Sequence, residues 1–249
     1  MQMTGSILPK KALLTLASAA LAVASLTACS GGETQRVTLL LFDNSASADS
    51  MQARYDNVAE TVTGDLQGGE RVVVGRITDA SMQDARLPVD MKMPAFNPLT
   101  QTTGSHRKAV EKVRSGIKSG VGALSGGELS KCTDIIGALE LAQKVFRNAP
   151  PGAEKRLLVV SDMIETCGPD FRRRKLDPDA IGSLLKELRE KGRLPDLEGI
   201  RVWVAGATST TDLSAGRVRS IERFWIRFFE ATGAEIDPGH YGPTLMGWS

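Results

Sequence analysis

The chain has 249 residues, with 31 Lys and Arg against 29 Asp and Glu, and a formal net charge of +2. That near balance argues against a protein whose affinity comes from neutralising many nucleic-acid phosphates. The length holds one α/β domain of ordinary size, and no internal repeat or low-complexity tract breaks it up.

The first stretch does not read as fold. Lys10 and Lys11 form a charged start, and residues 12–26 are an apolar run. At roughly 15 residues the run fits a secretory signal and is short for a membrane span. It ends in Leu26-Thr27-Ala28-Cys29, followed by Ser30 and Gly31. This resembles a bacterial lipoprotein signal, in which residues 1–28 are removed and Cys29 is acylated as the first mature residue. An ordinary cleaved signal with a chance cysteine is the alternative. The resemblance implies a lipid-anchored protein of the bacterial cell envelope, facing the periplasm or the exterior. Ser30 resembles the signal that favours the outer membrane in a Gram-negative host. Cleavage would remove Lys10 and Lys11, which leaves the basic side chains equal in number to the 29 acidic ones. With no polybasic tract, the lipid on Cys29 would have to hold the membrane. Residues 29–36 then serve as a short linker.

With Cys29 spent on lipid, Cys132 and Cys167 remain. An exported chain with two cysteines left over usually pairs them, although free buried thiols are the alternative. Neither has the close Cys/His spacing of a zinc site, and His106 and His240 lie far away in sequence.

The elements follow in order. Residues 37–42 are an uninterrupted apolar run, which predicts a buried strand. It opens into the turn Asp43-Asn44-Ser45-Ala46-Ser47. Met51, Tyr55, Val58, Val62 and Leu66 then recur at helical spacing, and Gly68-Gly69 ends that helix. Residues 71–77 are β-branched and predict a second buried strand. Residues 86–91 predict an edge strand, since Pro88 counts against a central position. Residues 93–105 read as a long polar loop. Val110, Val113, Ile117, Val121 and Leu124 predict the next helix, whose Gly116, Gly120, Gly122, Gly126 and Gly127 predict a fraying end. Cys132-Thr133-Asp134 precedes Ile135, Ile136, Leu139, Ala142 and Phe146 at helical spacing. Residues 157–161 are a buried strand with Asp162 at its end. Asp177-Pro178 caps and opens a helix lined by Ile181, Leu184, Leu185 and Leu188. Residues 200–205 are the next strand. Val218, Ile221, Trp225, Phe228 and Phe229 mark the last long helix, with an apolar face that reads as core. Residues 234–236 predict a short final strand, and residues 237–249 an irregular tail.

Strands alternating with helices predict an α/β fold: a doubly wound, mostly parallel sheet with helices on both faces, Rossmann-like in topology. In such a sheet the carboxyl ends of neighbouring strands line one crevice, so Asp43, Ser45, Ser47, Thr133 and Asp162 can meet there. All five are hard oxygen donors, which suit Mg²⁺ or Mn²⁺. Taken singly, the hydroxyl residues serve equally well as helix caps and Asp162 as a turn residue.

Asp-x-Ser-x-Ser, a Thr before a helix, and an Asp after a buried strand together resemble a von Willebrand factor type A (VWA) domain with its metal-ion-dependent adhesion site. The resemblance covers residues 37–236. It implies that Ser45 and Ser47 bind the cation directly and Thr133 directly or through water. Asp43 and Asp162 would hold water ligands or coordinate directly in one state. A first shell poor in charge leaves the ion electrophilic, ready to take a carboxylate from a protein partner. The expected disulfide between Cys132 and Cys167 would tie together two loops that flank this site.

The run Arg172-Arg173-Arg174-Lys175 follows the same loop and reads either as a basic collar for an acidic partner or as a solvated charge run. Three function classes were weighed. The first is an extracytoplasmic binding module, which is not an enzyme. The second is a metal-dependent envelope enzyme. Here the phosphotransfer pattern Asp-x-Asp has Ser45 at its second position, no Gly-x-Ser-x-Gly elbow is present, and neither histidine is placed as a base. The third is a dinucleotide binder, which lacks its Gly-x-Gly-x-x-Gly after the first strand. A structural VWA domain with an unused metal site also stays open.

Overall fold

The computed structural model describes residues 35–43, 52–125, 130–207 and 213–248. The leader, Cys29, Ser45 and Ser47 lie outside the described residues. Glu33–Ser249 is one compact unit and contains both hydrophobic cores, so it holds what the sheet needs to fold without Met1–Gly32.

The elements are β1 (Arg36–Asp43), α1 (Gln52–Asp65), β2 (Arg71–Ile77), α2 (Ser81–Asp84), β3 (Val89–Lys92), α3 (Thr103–Gly122), α4 (Ile135–Arg147), β4 (Glu154–Val160), α5 (Pro178–Glu190), β5 (Ile200–Ala205), α6 (Ala215–Ala231) and β6 (Glu235–Gly242). They build one sheet in the order β3-β2-β1-β4-β5-β6. All neighbours are parallel except the β2–β3 pair. The fold is α/β and Rossmann-like, as the alternating pattern predicts.

β1 is apolar without alternation because both faces of the sheet are covered. Leu39 and Leu41 point into a core shared with α4, α5 and α6, while Leu40 and Phe42 point into a core shared with α1 and α3. From β1 the chain runs outward to β2 and β3, then returns to lay β4 against the other side of β1. The strand order therefore reverses between β1 and β4, and a crevice opens at their carboxyl ends.

Four local expectations need correcting. The edge strand starts at Val89, one residue after Pro88, where the missing N–H costs no ladder bond. The loop expected over residues 93–105 ends at Thr102. Thr102 caps α3 by accepting from the Ser105 N–H, while the Ser105 hydroxyl answers the Thr102 N–H, so Ser105 does the work of the usual Glu or Gln. The glycines of α3 do not fray it before Gly122. A Cβ at Gly120 would lie 2.1 Å from Val89 Cγ2, and one at Gly116 2.8 Å from Met91 Cε, so both let the helix lie close on β3. Finally, the tail is not irregular throughout. β6 runs on to Gly242 beside β5, with a register shift between Val202 and Val204, and Trp248 is buried against Trp203 at 4.9 Å between ring centres.

Candidate metal centre

Asp43 is the last residue of β1, and Asp162 follows Ser161 just past the end of β4. Phe42 pairs with Val160, so the two acids leave neighbouring strands at the same level. Asp43 is 2% exposed. Its Oδ2 accepts a hydrogen bond from Ser161 Oγ at 2.7 Å, and the same hydroxyl accepts from the Met163 N–H at 3.0 Å. Asp162 Oδ1 accepts from the Ile164 N–H at 2.9 Å, a tight turn of the Asx kind. The Tyr55 hydroxyl of α1 donates to the Asp43 carbonyl, which hangs that helix on the end of β1. Burial raises the Tyr55 pKa, and the charges of Asp43 and Asp162 raise it further. Both carboxylates therefore act on one point.

Met163 sits at φ 64°, in the left-handed region that a side chain rarely adopts. The strain, about 1–3 kcal/mol for such a residue, persists because both peptide groups of Met163 are held. Ser161 takes its N–H, and Trp225 Nε1 donates to its carbonyl at 2.7 Å. The core aromatic cluster of α6 thereby fixes the loop that carries Asp162.

Thr133 lies two residues before α4, whose N-cap is Asp134. Two sets of bonds place it. The Asp134 N–H donates to the Thr78 carbonyl, just past the end of β2. The Thr133 N–H donates to Thr166 Oγ1 at 2.8 Å, and its carbonyl accepts from the N–H groups of Thr166 and Cys167. Thr133 is thus strung between the end of β2 and the loop after β4. β1 lies between those two strands, so Thr133 sits over the edge from which Asp43 emerges. Cys132 and Cys167 are joined by a disulfide, with 5.1 Å between Cα atoms, which locks the same two loops.

Sequence reading missed Glu165. It is fully buried, and its carboxylate accepts from the N–H groups of Ile136, Cys167 and Gly168, bridging the start of α4 and the disulfide loop. Burial pushes its pKa up to about 7, against the pull of those donors and with help from the Asp134 charge. The available signal was an acid set within an apolar stretch beside a cysteine. Ser161 was missed too, although a hydroxyl directly before Asp162 was there to read.

Arg54 of α1 also reaches this edge: a Cβ on Gly206 would lie 3.0 Å from Arg54 Nη1 and 2.9 Å from the Ser161 carbonyl. Gly206 has φ 100°, so glycine is required there on both counts. The run from Arg172 to Lys175 is largely answered from within. Arg173 pairs with Asp170 at 3.6 Å, Arg174 with Glu187 at 3.2 Å, and Lys175 with Asp177 at 2.5 Å. His106 tilts against Phe96 and His240 stacks on Trp203, neither at this edge.

Asp43, Thr133 and Asp162 are brought to this edge among the described residues, and their side chains carry hard oxygens that fit Mg²⁺ or Mn²⁺. Ser45 and Ser47, expected to complete the set, fall outside the described residues.

No family model matches the chain, and no curated protein matches it in sequence. Solved structures of similar arrangement exist. One is a von Willebrand factor type A protein from Catenulispora acidiphila, with 16% identity, a TM-score of 0.45, and coverage of 82% of this chain and 39% of that one. Another is the conserved hypothetical protein BatB from Bacteroides thetaiotaomicron, with 12% identity, a TM-score of 0.39, and coverage of 81% and 89%. The pilus adhesin SpaC from Lactobacillus rhamnosus GG, in its open conformation, gives 10% identity, a TM-score of 0.43, and coverage of 82% and 28%. The chain thus spans about two fifths of the Catenulispora protein and less of the pilus adhesin.

Proposed function

We propose that this chain is a VWA-type binding module of the bacterial envelope, anchored by a lipid on Cys29 and not an enzyme. It holds Mg²⁺ or Mn²⁺ with Asp43, Ser45, Ser47, Thr133 and Asp162, and grips a protein partner through a carboxylate that completes the shell.

The observation that carries the reading is the bracing of Thr133. A disulfide, a bond from the Thr133 N–H to the Thr166 hydroxyl and two backbone bonds tie its loop to the loop after Asp162. Ordering two loops this tightly over a strand switch point suits a site whose donors must be in place before an ion arrives. Hydroxyl donors bind weakly and Mg²⁺ keeps much of its water, which leaves room for a partner oxygen.

The test is titration of residues 30–249 with Mg²⁺ and Mn²⁺ by calorimetry and thermal shift, with Asp43→Ala alongside. Saturable binding or stabilisation in the parent, lost in the variant, is the expected result. Partner capture that survives both chelator and Asp43→Ala would refute the reading.

A further inference from the structure

The opposite edge of the sheet carries a feature that the metal reading leaves unused. β3 ends at Lys92, paired through Arg71 to Val37 at the start of β1. The Gly69 N–H donates to the Met93 carbonyl and the Met93 N–H to the Glu70 carbonyl, so the chain leaves the sheet at its amino edge. It then forms a turn closed on itself. The Asn97 carbonyl accepts from the N–H groups of Thr100 and Gln101, Asn97 Oδ1 accepts from the Leu99 N–H, and Gln101 Oε1 accepts from the Asn97 N–H. This ordered turn presents Leu99 at 93% exposure and Phe96 at 48%.

The charges around it are mostly positive: Lys92, Arg107, Lys108 and Lys112 stand against Glu111. Four acids of this edge are engaged: Asp65, Glu70 and Glu154 by Arg36 and Arg156, and Asp90 by Arg71. Lys92, Arg107 and Lys108 are exposed beside the turn and have no acidic partner among the described residues. Two apolar side chains set among unpaired cations is the composition of a surface that enters the headgroup layer of an anionic bilayer. Chain length points to the same partner. Extended backbone spans about 3.3–3.6 Å per residue, so an acyl chain on Cys29 would keep Arg36 within about 25 Å of the lipid.

We propose that Phe96, Leu99, Lys92, Arg107 and Lys108 form a lipid-docking surface. It seats the amino edge of the sheet on the membrane and turns the carboxyl edge, with its metal residues, away from it. This rests on acylation of Cys29 for its setting, and it makes one lipid chain, weak as an anchor alone, part of a two-point attachment.

The test couples residues 29–249 through the Cys29 thiol to maleimide-bearing vesicles of phosphatidylethanolamine and phosphatidylglycerol. Hydrogen exchange is read by mass spectrometry against the same chain free in solution. Residues 95–108 should exchange more slowly on the vesicles and residues 162–176 at an unchanged rate. The slowing should be lost in Phe96→Asn/Leu99→Asn, whose exposed positions leave folding intact, and weakened on phosphatidylcholine alone. Unchanged exchange over 95–108, slowing that survives the double variant, or slowing confined to 162–176 would each overturn the proposal. Acylation is scored separately, from the intact mass of the chain made with its leader in a bacterial host. A chain without lipid would remove the anchor, while the exchange result still decides the surface.

Discussion

The two edges of the sheet handle buried charge in opposite ways. At the amino edge, acid meets guanidinium: Arg36 reaches Asp65, Glu70 and Glu154, and Arg156 reaches Asp65 and Glu154 while lying within 5.6 Å of two indole centres, Trp203 and Trp248. At the carboxyl edge, neutral donors also hold the acids: a serine hydroxyl on Asp43, a backbone N–H on Asp162 and three backbone N–H groups on Glu165. A guanidinium cancels a carboxylate, whereas a hydroxyl or amide orients it and leaves its charge in place. One edge is thus an ionic fastening, while at the other neutral donors orient carboxylates at the ends of neighbouring strands.

The comparison can be broken at several points. Arg36→Met would strand Glu70, which is almost fully buried, without its cation. Loss of one partner from a buried pair costs about 3–5 kcal/mol, so urea denaturation should show a loss of that order, with the metal response of the folded fraction unchanged. An altered metal response would show that the two edges are coupled.

Removing the disulfide, by Cys132→Ser with Cys167→Ser, opens a loop with a sequence separation of 35. Chain-entropy reasoning gives a loss of about 4 kcal/mol. Here, unlike in the Arg36 variant, Mg²⁺ affinity measured by calorimetry should fall as well, because the bridge orders the Thr133 and Asp162 loops together.

Glu165 gives a pH signature. Its pKa in the folded protein, about 7, lies above the ordinary glutamate value of 4.5. Between those values the folded protein holds a proton that the unfolded chain has released. Stability should therefore fall as pH rises from about 4.5 to about 7 and then level off, with a slope approaching 1.4 kcal/mol per unit at most. Glu165→Gln keeps an acceptor oxygen and should flatten that stretch of the urea midpoint against pH. A flat profile in the parent would contradict the assignment.

The smallest expected effect is that of Ser161→Ala. Asp43 loses one neutral donor, and the Met163 N–H loses its acceptor. A cost of about 1–3 kcal/mol is expected, with metal affinity reduced less than in Asp43→Ala. Equal losses of affinity in the two variants would make Ser161 as important to the site as the carboxylate itself.

Much of this arrangement was legible in advance because local chemistry repeats. The apolar run before Asp43, the stripe from Tyr55 to Leu66 and the Asp177-Pro178 start each express one period or one cap, and each gave its element close to where it lies. Other features were hidden because their cause is distant in sequence. Gly116 and Gly120 read as signs of a fraying helix end, because β3, for which they make room, lies elsewhere in the sequence. The tail looked irregular because its order comes from β5 and Trp203. The even overall charge balance concealed an edge where Asp65, Glu70, Asp90 and Glu154 pair with arginines while Lys92 and Lys108 have no acidic partner among the described residues.

The sequence by itself determined the α/β alternation and placed candidate oxygen donors at strand ends. These follow from side-chain period, composition and the chemistry of single residues. Only the tertiary structure decided that Glu165 and Ser161 hold the loops of the candidate site, that Met163 stays strained because Trp225 grips it, and which cations remain unpaired at the far edge. Those outcomes depend on which groups burial brings face to face, and the energy of a buried charge is set by its neighbours rather than by its place in the chain.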